Sequence, residues 1–213
     1  MKSKDQLIIK FNHIILIQGF TDFSMVELAK KAGISRAKLY LDFKNKTEIV
    51  TAVVQRHLLF IEKNPVPNLA TSDNLLVTIL NSLLLMGATT ERFEQELKLK
   101  YPQLYRQYTQ ADQQYFADLS VYYQQAQSKK LLNSTVSAEY LLFQNRLNVR
   151  GILAAVQTGQ ITLEQGESYL RAGISLQLQI MTVDSTQLVS GDLKEFEQRI
   201  INEYYDTYSL ITR

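Results

Sequence analysis

The chain has 213 residues, 46% of them hydrophobic, with 23 Lys and Arg against 21 Asp and Glu and no cysteine. That length holds one large or two small domains, and the lack of thiols excludes disulfides, thiolate catalysis and cysteine-bound metal. The longest purely aliphatic run, Leu83 to Met86, is far too short to span a bilayer, and the N-terminus has no signal-peptide pattern. A cytoplasmic protein without membrane contact is expected. The near-neutral total hides an asymmetry: residues 1–60 hold ten Lys and Arg against five Asp and Glu, the remainder thirteen against sixteen. A basic end on an acidic body suits phosphate binding by that end.

Leu7, Ile8, Phe11, Ile14 and Ile15 predict a first amphipathic helix, closed by Gly19-Phe20. Ser24 with Glu27 three residues on is a capping box, so a second helix starts at Met25, with Leu28, Ala29 and Ala32 on its apolar face. Gly33 falls where a left-handed residue must close the turn. Ser35 then caps a third helix, with Arg36, Ala37 and Lys38 on its exposed first turn and Leu39 and Phe43 on its buried side. Asn45 with Glu48 opens a longer helix from Lys46, with Ile49, Val50, Val53 and His57 on one face. Two short helices joined by a glycine turn are a helix-turn-helix, the arrangement that sets a helix into the major groove. Pro65 and Pro67 mark the domain boundary, giving domains 1–62 and 68–213.

Beyond it, Leu75, Leu76, Ile79, Leu80, Leu83 and Leu84 form a strongly apolar helix, followed by a short charged one from Thr90 to Leu99. From Gln103 to Gln127, Leu104, Tyr108, Ala111, Tyr115, Leu119 and Tyr122 recur at helical spacing, flanked by Tyr101, Tyr105, Phe116 and Tyr123. Such a stripe is core or the wall of a pocket for an aromatic or amphipathic molecule, since tyrosine joins a flat apolar ring to a hydroxyl. Ser137 opens a helix containing Leu147, Gly151, Ala154 and Ala155. Thr162 with Gln165 caps the next, where Gly166, Leu170, Gly173 and Gln177 share a face. Glycines within helices cost stability, so they imply close packing, inside the chain or against another copy. Asp192 and Glu195 begin a last helix bearing Leu193, Phe196, Ile200, Tyr204 and Tyr208. It serves as pocket cover, dimer contact or core. No segment reads as a strand, and the expected fold is all-α.

The chemistry of the basic end fits DNA. The helix N-terminus at Ser35 offers unpaired N–H groups to phosphate, Lys46 at the start of the next helix is another place for one, and Ser24 is a further DNA-binding candidate. Arg36 and Lys38 are long donors for guanine edges or phosphates, and Tyr40 presents a hydroxyl one turn on. His13 and His57, the two histidines, lack the partners of a metal site. Glu91, Glu94 and Glu96 read as a solvated face. No nucleotide-binding glycine loop and no serine elbow occur, so neither an enzyme nor a cofactor is expected.

The first 60 or so residues resemble the DNA-binding domain of the TetR family of transcriptional regulators. The Gly19-Phe20 corner, the run Ala29-Lys30-Lys31-Ala32-Gly33-Ile34-Ser35 and the run Leu39-Tyr40-Leu41-Asp42-Phe43-Lys44-Asn45-Lys46 carry the likeness. It implies that Tyr40 and Lys46 clamp the phosphate backbone while Arg36, Ala37, Lys38 and Leu41 face the bases. Two positions depart from the family: a glycine is frequent at Ala37, and a histidine or aromatic at the Leu41-Asp42 pair. Asp42 brings a negative charge near DNA and must turn away or accept from a cytosine amine.

The resemblance further implies a helical body that binds an inducer and dimerises. A pocket would draw on Met86, Tyr101, Tyr105, Tyr108, Tyr115 and Tyr122. A four-helix dimer contact would draw on Leu147, Gly151, Ala155, Gly166, Leu170, Gly173 and Gln177. The expected function is a ligand-responsive homodimeric repressor of a near-palindromic operator. The alternatives are a TetR-like activator, or a small-molecule- or protein-binding module with a secondary DNA head.

Overall fold

A computed structural model describes residues 4–183 and 191–208, apart from the side chains of 180, 191–193 and 196. Asp192 at the expected start of the terminal helix, and Leu193 and Phe196 of its stripe, therefore lie outside the described side chains. Among the described residues ten helices follow in order: α1 (Lys4–Gln18), α2 (Met25–Ala32), α3 (Arg36–Asp42), α4 (Lys46–Lys63), α5 (Ser72–Met86), α6 (Glu91–Lys100), α7 (Pro102–Ser128), α8 (Ala138–Gln157), α9 (Leu163–Met181) and α10 (Gly191–Tyr208). The described residues contain no strand, only an isolated bridge between Leu132 and Thr182. The chain is all-α, with an N-terminal helix-turn-helix and a larger helical part. Among the described residues, no helix is long and apolar enough to cross a membrane.

Local chemistry sets the helix ends. The Ser24 capping box is complete, with the Glu27 N–H donating to Ser24 Oγ at 3.3 Å and Glu27 Oε2 accepting from the Ser24 N–H at 2.7 Å. Gly33 closes α2 in the left-handed region, φ 63° and ψ 41°, and its N–H reaches the carbonyls of Ala29 and Lys30. Ser35 Oγ accepts from the Lys38 N–H at 3.1 Å, which starts α3. Asn45 Oδ1 caps α4 through the Glu48 N–H, while the Glu48 carboxylate reaches back to the Lys44 N–H. Thr162 and Gln165 form a further complete box at α9.

Two compact units result. The first comprises the described residues up to Lys63, together with Thr89–Asp112 and those from Asp206 on; the second comprises Asn64–Ala88 and Gln113–Tyr205. The unit that holds the helix-turn-helix thus also takes in α6 and the start of α7. Its core joins Leu7, Phe11, Ile14 and Ile15 to Leu28, Leu39, Phe43, Ile49 and Val53, and also to Phe93, Leu97 and Tyr108. The Phe11 and Phe43 rings meet edge-on at 5.7 Å. His57 packs between the rings of Phe93 and Tyr108 in this core.

In the second unit α5 and α9 both pack against α8. Ile200, Ile201 and Tyr204 of α10 are buried, and the Tyr204 hydroxyl donates to the Leu163 carbonyl at 2.7 Å. Of the three roles open to the terminal helix, these residues serve the core.

Candidate nucleic-acid interface

The corner between α1 and α2 is held from both sides of its peptides. Gly19 turns at φ +74°, a left-handed conformation in which a side chain is strained. The N–H groups of Phe20 and Thr21 donate to Glu96 Oε2 at 2.7 and 2.9 Å, and the Thr21 hydroxyl donates to the same oxygen at 2.9 Å. The carbonyls of Phe20, Thr21 and Phe23 accept from Lys46 Nζ at 3.0, 3.0 and 2.8 Å. One carboxylate therefore binds the donors of the corner and one ammonium binds its acceptors. Arg92 Nε donates to the other Glu96 oxygen at 3.1 Å. Burial pushes the Glu96 carboxyl up, but these donors outweigh it and hold the group below its ordinary 4.5.

Glu96 corrects a sequence expectation. It is not part of a solvated face: its side chain is only 16% exposed. Lys46 also has a different occupation from the one the resemblance implies. A lysine ammonium has three N–H donors, and all three meet backbone carbonyls of the corner. Lys46→Ala is therefore expected to lower the stability of the first unit by about 1.5–3 kcal/mol and to weaken all duplex sequences alike. The slope of log affinity against log salt should stay nearly unchanged. A slope smaller by about 0.9 per head would return Lys46 to the phosphate clamp.

On this support α3 turns Leu39 and the following Phe43 into the core and leaves Arg36, Ala37, Tyr40 and Leu41 exposed. Leu41 is 80% exposed, an apolar side chain with no place inside its own unit and the right character for a thymine methyl. The Arg36 guanidinium lies 5.4 Å from the centre of the Tyr40 ring. Lys38 Nζ donates to Asp42 Oδ2 at 2.7 Å, so Asp42 turns back onto its own helix.

Ser35 caps α3 through its oxygen. Ser24 is engaged both ways, accepting the Glu27 N–H and donating to the Glu27 carboxylate at 2.7 Å. The Ser24 N–H and then its hydroxyl hold Glu27 below the usual carboxylate range. Arg36, Ala37, Tyr40 and Leu41 thus form the exposed face of α3, with half-buried Lys38 at its edge and Ser35 at its start, while Ser24 acts as a cap.

The residues expected to line one pocket are not brought together. Tyr101 packs on Phe20 at 5.7 Å, Tyr108 on His57 at 6.2 Å, and Tyr105 lines the same core of the first unit. The stripe is continuous along α7, but its first half belongs to that unit. Met86, Tyr115 and Tyr122 lie buried in the second unit, where the Tyr122 hydroxyl donates to Asn74 Oδ1 at 2.6 Å. Burial raises the hydroxyl pKa of Tyr115 and of the neighbouring, fully buried Tyr123.

The expected dimer residues divide in the same way. Leu170 and Gln177 are 5% and 7% exposed and, with Gly173, line a cavity of about 30 Å³, room for a water molecule or two. A Cβ on Gly166 would run into the Tyr204 hydroxyl and Val156. Gly166, Leu170 and Gln177 therefore face the chain's own core, and Tyr204 of α10 accounts for the glycine at 166. Leu147 and Gly151 face outward, and Ala155 is half-buried. Their exposed companions, missed by the sequence reading, are Tyr140 and Phe143 on α8 and Tyr169 and Leu176 on α9. Positions 140, 143, 147 and 151 recur at helical spacing, a signal that was legible.

Comparison with known proteins bears on this geometry. The bacterial regulatory proteins of the TetR family match residues 15–53. The transcriptional activator FasR of Mycolicibacterium smegmatis is 36% identical over 55 residues, 26% of this chain, and the match spans a quarter of that relative's length. Two solved structures share the fold at low identity. A TetR-family regulator from Marinobacter aquaeolei has a TM-score of 0.58 at 14% identity, covering 96% of this chain and 99% of that one. The ketosteroid regulator KstR2 of Mycobacterium tuberculosis has a TM-score of 0.53 at 15% identity, covering 86% and 97%. The corner, the glycine turn and α3 all lie within the stretch, residues 15–53, that is similar to the bacterial regulatory proteins of the TetR family.

Proposed function

We propose that this protein is a homodimeric, ligand-responsive repressor that binds a near-palindromic DNA operator. The observation that carries the reading is the exposed face of α3, where cations, a tyrosine and a bare leucine stand on a helix anchored by Leu39. Two such heads read half-sites in successive major grooves, roughly 34 Å apart. Selection of binding sites from a random double-stranded pool at physiological salt tests it. A recovered palindrome is expected. Arg36→Ala should lose about 1–3 kcal/mol of discrimination at particular base pairs and leave the others intact. An unchanged motif would remove Arg36 from base readout, and no enrichment at all would overturn the reading.

The second copy is proposed to cover the outer face of α8 and α9. Gly151 supports this: a Cβ there would meet no atom within 4 Å, so nothing in its own unit requires a glycine that costs about 1 kcal/mol in a helix. A partner helix approaching closely accounts for it, alongside the exposed Tyr140, Phe143, Leu147, Tyr169 and Leu176.

The inducer is proposed to be aromatic or amphipathic and to bind in the second unit near Met86, Tyr115 and Tyr122. It would act by preferring one of two dimer geometries, with a coupling of about 1–3 kcal/mol. The activator name of the M. smegmatis relative supports a second reading, activation. Transcription from a promoter carrying the selected operator separates the two: less transcript is expected, and more would assign activation.

A further inference from the structure

The DNA-facing helix carries an acid at a place where acids oppose binding. Asp42 lies on α3 one turn beyond Lys38, and the two are joined at 2.7 Å with side chains only 16% and 24% exposed. A fully solvated lysine would sweep freely and meet any phosphate within reach. This one is half-buried, its backbone N–H is tied to Ser35 and its ammonium to Asp42. The carboxylate cancels its charge within a few ångströms, far inside the Debye length at physiological salt. One of the three ammonium protons is engaged, and two remain for acceptors in front of the helix.

We infer that Asp42 is a specificity-determining residue, whose ion pair with Lys38 withholds that lysine from the phosphates of arbitrary DNA and aims it at a base edge of the operator. The inference rests on the proposed operator binding. Phosphates line the sides of the groove, and the bond to Asp42 holds Lys38 back from them. A guanine presents O6 and N7 side by side on the groove floor, where two N–H donors can be used while the third stays on the carboxylate. The pair thus weakens random binding and leaves the specific complex intact, which raises the ratio between them. Asp42 acts on DNA through Lys38 and touches no base itself.

The test is a double-mutant cycle on the full dimeric protein, read by fluorescence anisotropy with a random-sequence duplex and with the selected operator. Wild type, Asp42→Ala, Lys38→Ala and the double variant are measured at several salt concentrations. Asp42→Asn serves as a second, near-isosteric variant, and circular dichroism checks helix content. In Asp42→Ala the freed lysine of each head gains one phosphate contact. Random-duplex affinity is then expected to rise about tenfold per head near 0.1 M salt, with a salt slope steeper by about 1.8 for two heads. Operator affinity should change far less, and the gain on random DNA should vanish when Lys38 is already alanine.

A gain that persists without Lys38 would mean that Asp42 merely repels DNA, and the inference would fall. So would an unchanged random affinity, or a selected motif that loses a cytosine in Asp42→Ala, which would assign the acid to direct base readout. If no form binds any duplex at low salt, the operator reading fails and takes this inference with it. Binding by wild type with no change in Asp42→Ala overturns the inference alone.

Discussion

Glu96→Ala is expected to destabilise the first unit by about 2–4 kcal/mol, because it leaves two backbone N–H groups and a hydroxyl without their acceptor. DNA binding should weaken for every sequence equally, since the corner that sets α2 and α3 loosens while α3's own side chains are untouched. Denaturant unfolding and anisotropy titrations read the two effects. Gly19→Ala should be at least as damaging, for two separable reasons. The left-handed φ of +74° costs an alanine about 1–2 kcal/mol, and the new Cβ displaces the Glu96 carboxylate, which lies against it. In a Glu96→Ala background the clash with that carboxylate is gone and the flexible Arg92 side chain beside the new Cβ can swing away, so the pair of changes should be markedly less than additive. Full additivity would show that Glu96 does not hold this corner in solution.

The same carboxylate gives the stability a pH signature. Its folded form releases its proton more readily than the unfolded chain, whose ordinary value is 4.5. Its contribution is therefore complete above about pH 4.5 and drains away as the pH falls through the lower folded value. Glu96→Gln should remove that part of the acid sensitivity. An identical acid profile in wild type and variant would argue against a charged, hydrogen-bonded Glu96.

Phe143→Glu combined with Leu147→Glu is expected to give a folded monomer that binds its operator about 10²–10⁴-fold more weakly, the loss that follows when two heads no longer act together. Both residues are more than half exposed, at 59% and 57%, so the helices of a single chain should tolerate the change. Two like charges on each copy would meet their symmetry mates across a two-fold contact. Sedimentation measures the assembly directly. If the variant still sedimented as the wild-type dimer, the outer face of α8 would not be the contact.

The parts that were legible in the sequence are the ones written locally. Ser24 with Glu27, Ser35, Asn45 with Glu48, and Thr162 with Gln165 each satisfy donors within one turn, so neighbours in sequence suffice to place the helix starts. Glu96 was not legible, because its partners lie 75 and 76 residues away and its own helix carries Glu91 and Glu94 in the same guise. Only packing against α1 singles it out. The tyrosine stripe of α7 announced a buried face correctly but not what covers it, and the covering changes along the helix. On α9 the glycine stripe reads alike for a partner chain and for a neighbour inside the fold. Tyr204, from a helix 38 residues further on, occupies that space. In the sequence Asp42 stands out as an acid amid the basic residues of α3. Its answer, a bond to the lysine four residues earlier, is again a local one.

The corner also bears on modularity. Its carbonyl side is served by Lys46, within the segment that reads as a detachable head, but its amide side is served by Glu96, which that segment lacks. A head cut after Lys63 and grafted onto another protein would carry two bare peptide donors at the turn that leads into α2 and α3. The smallest portable unit that keeps this corner satisfied is thus discontinuous, and a chimera must bring α6 along with α1 to α4.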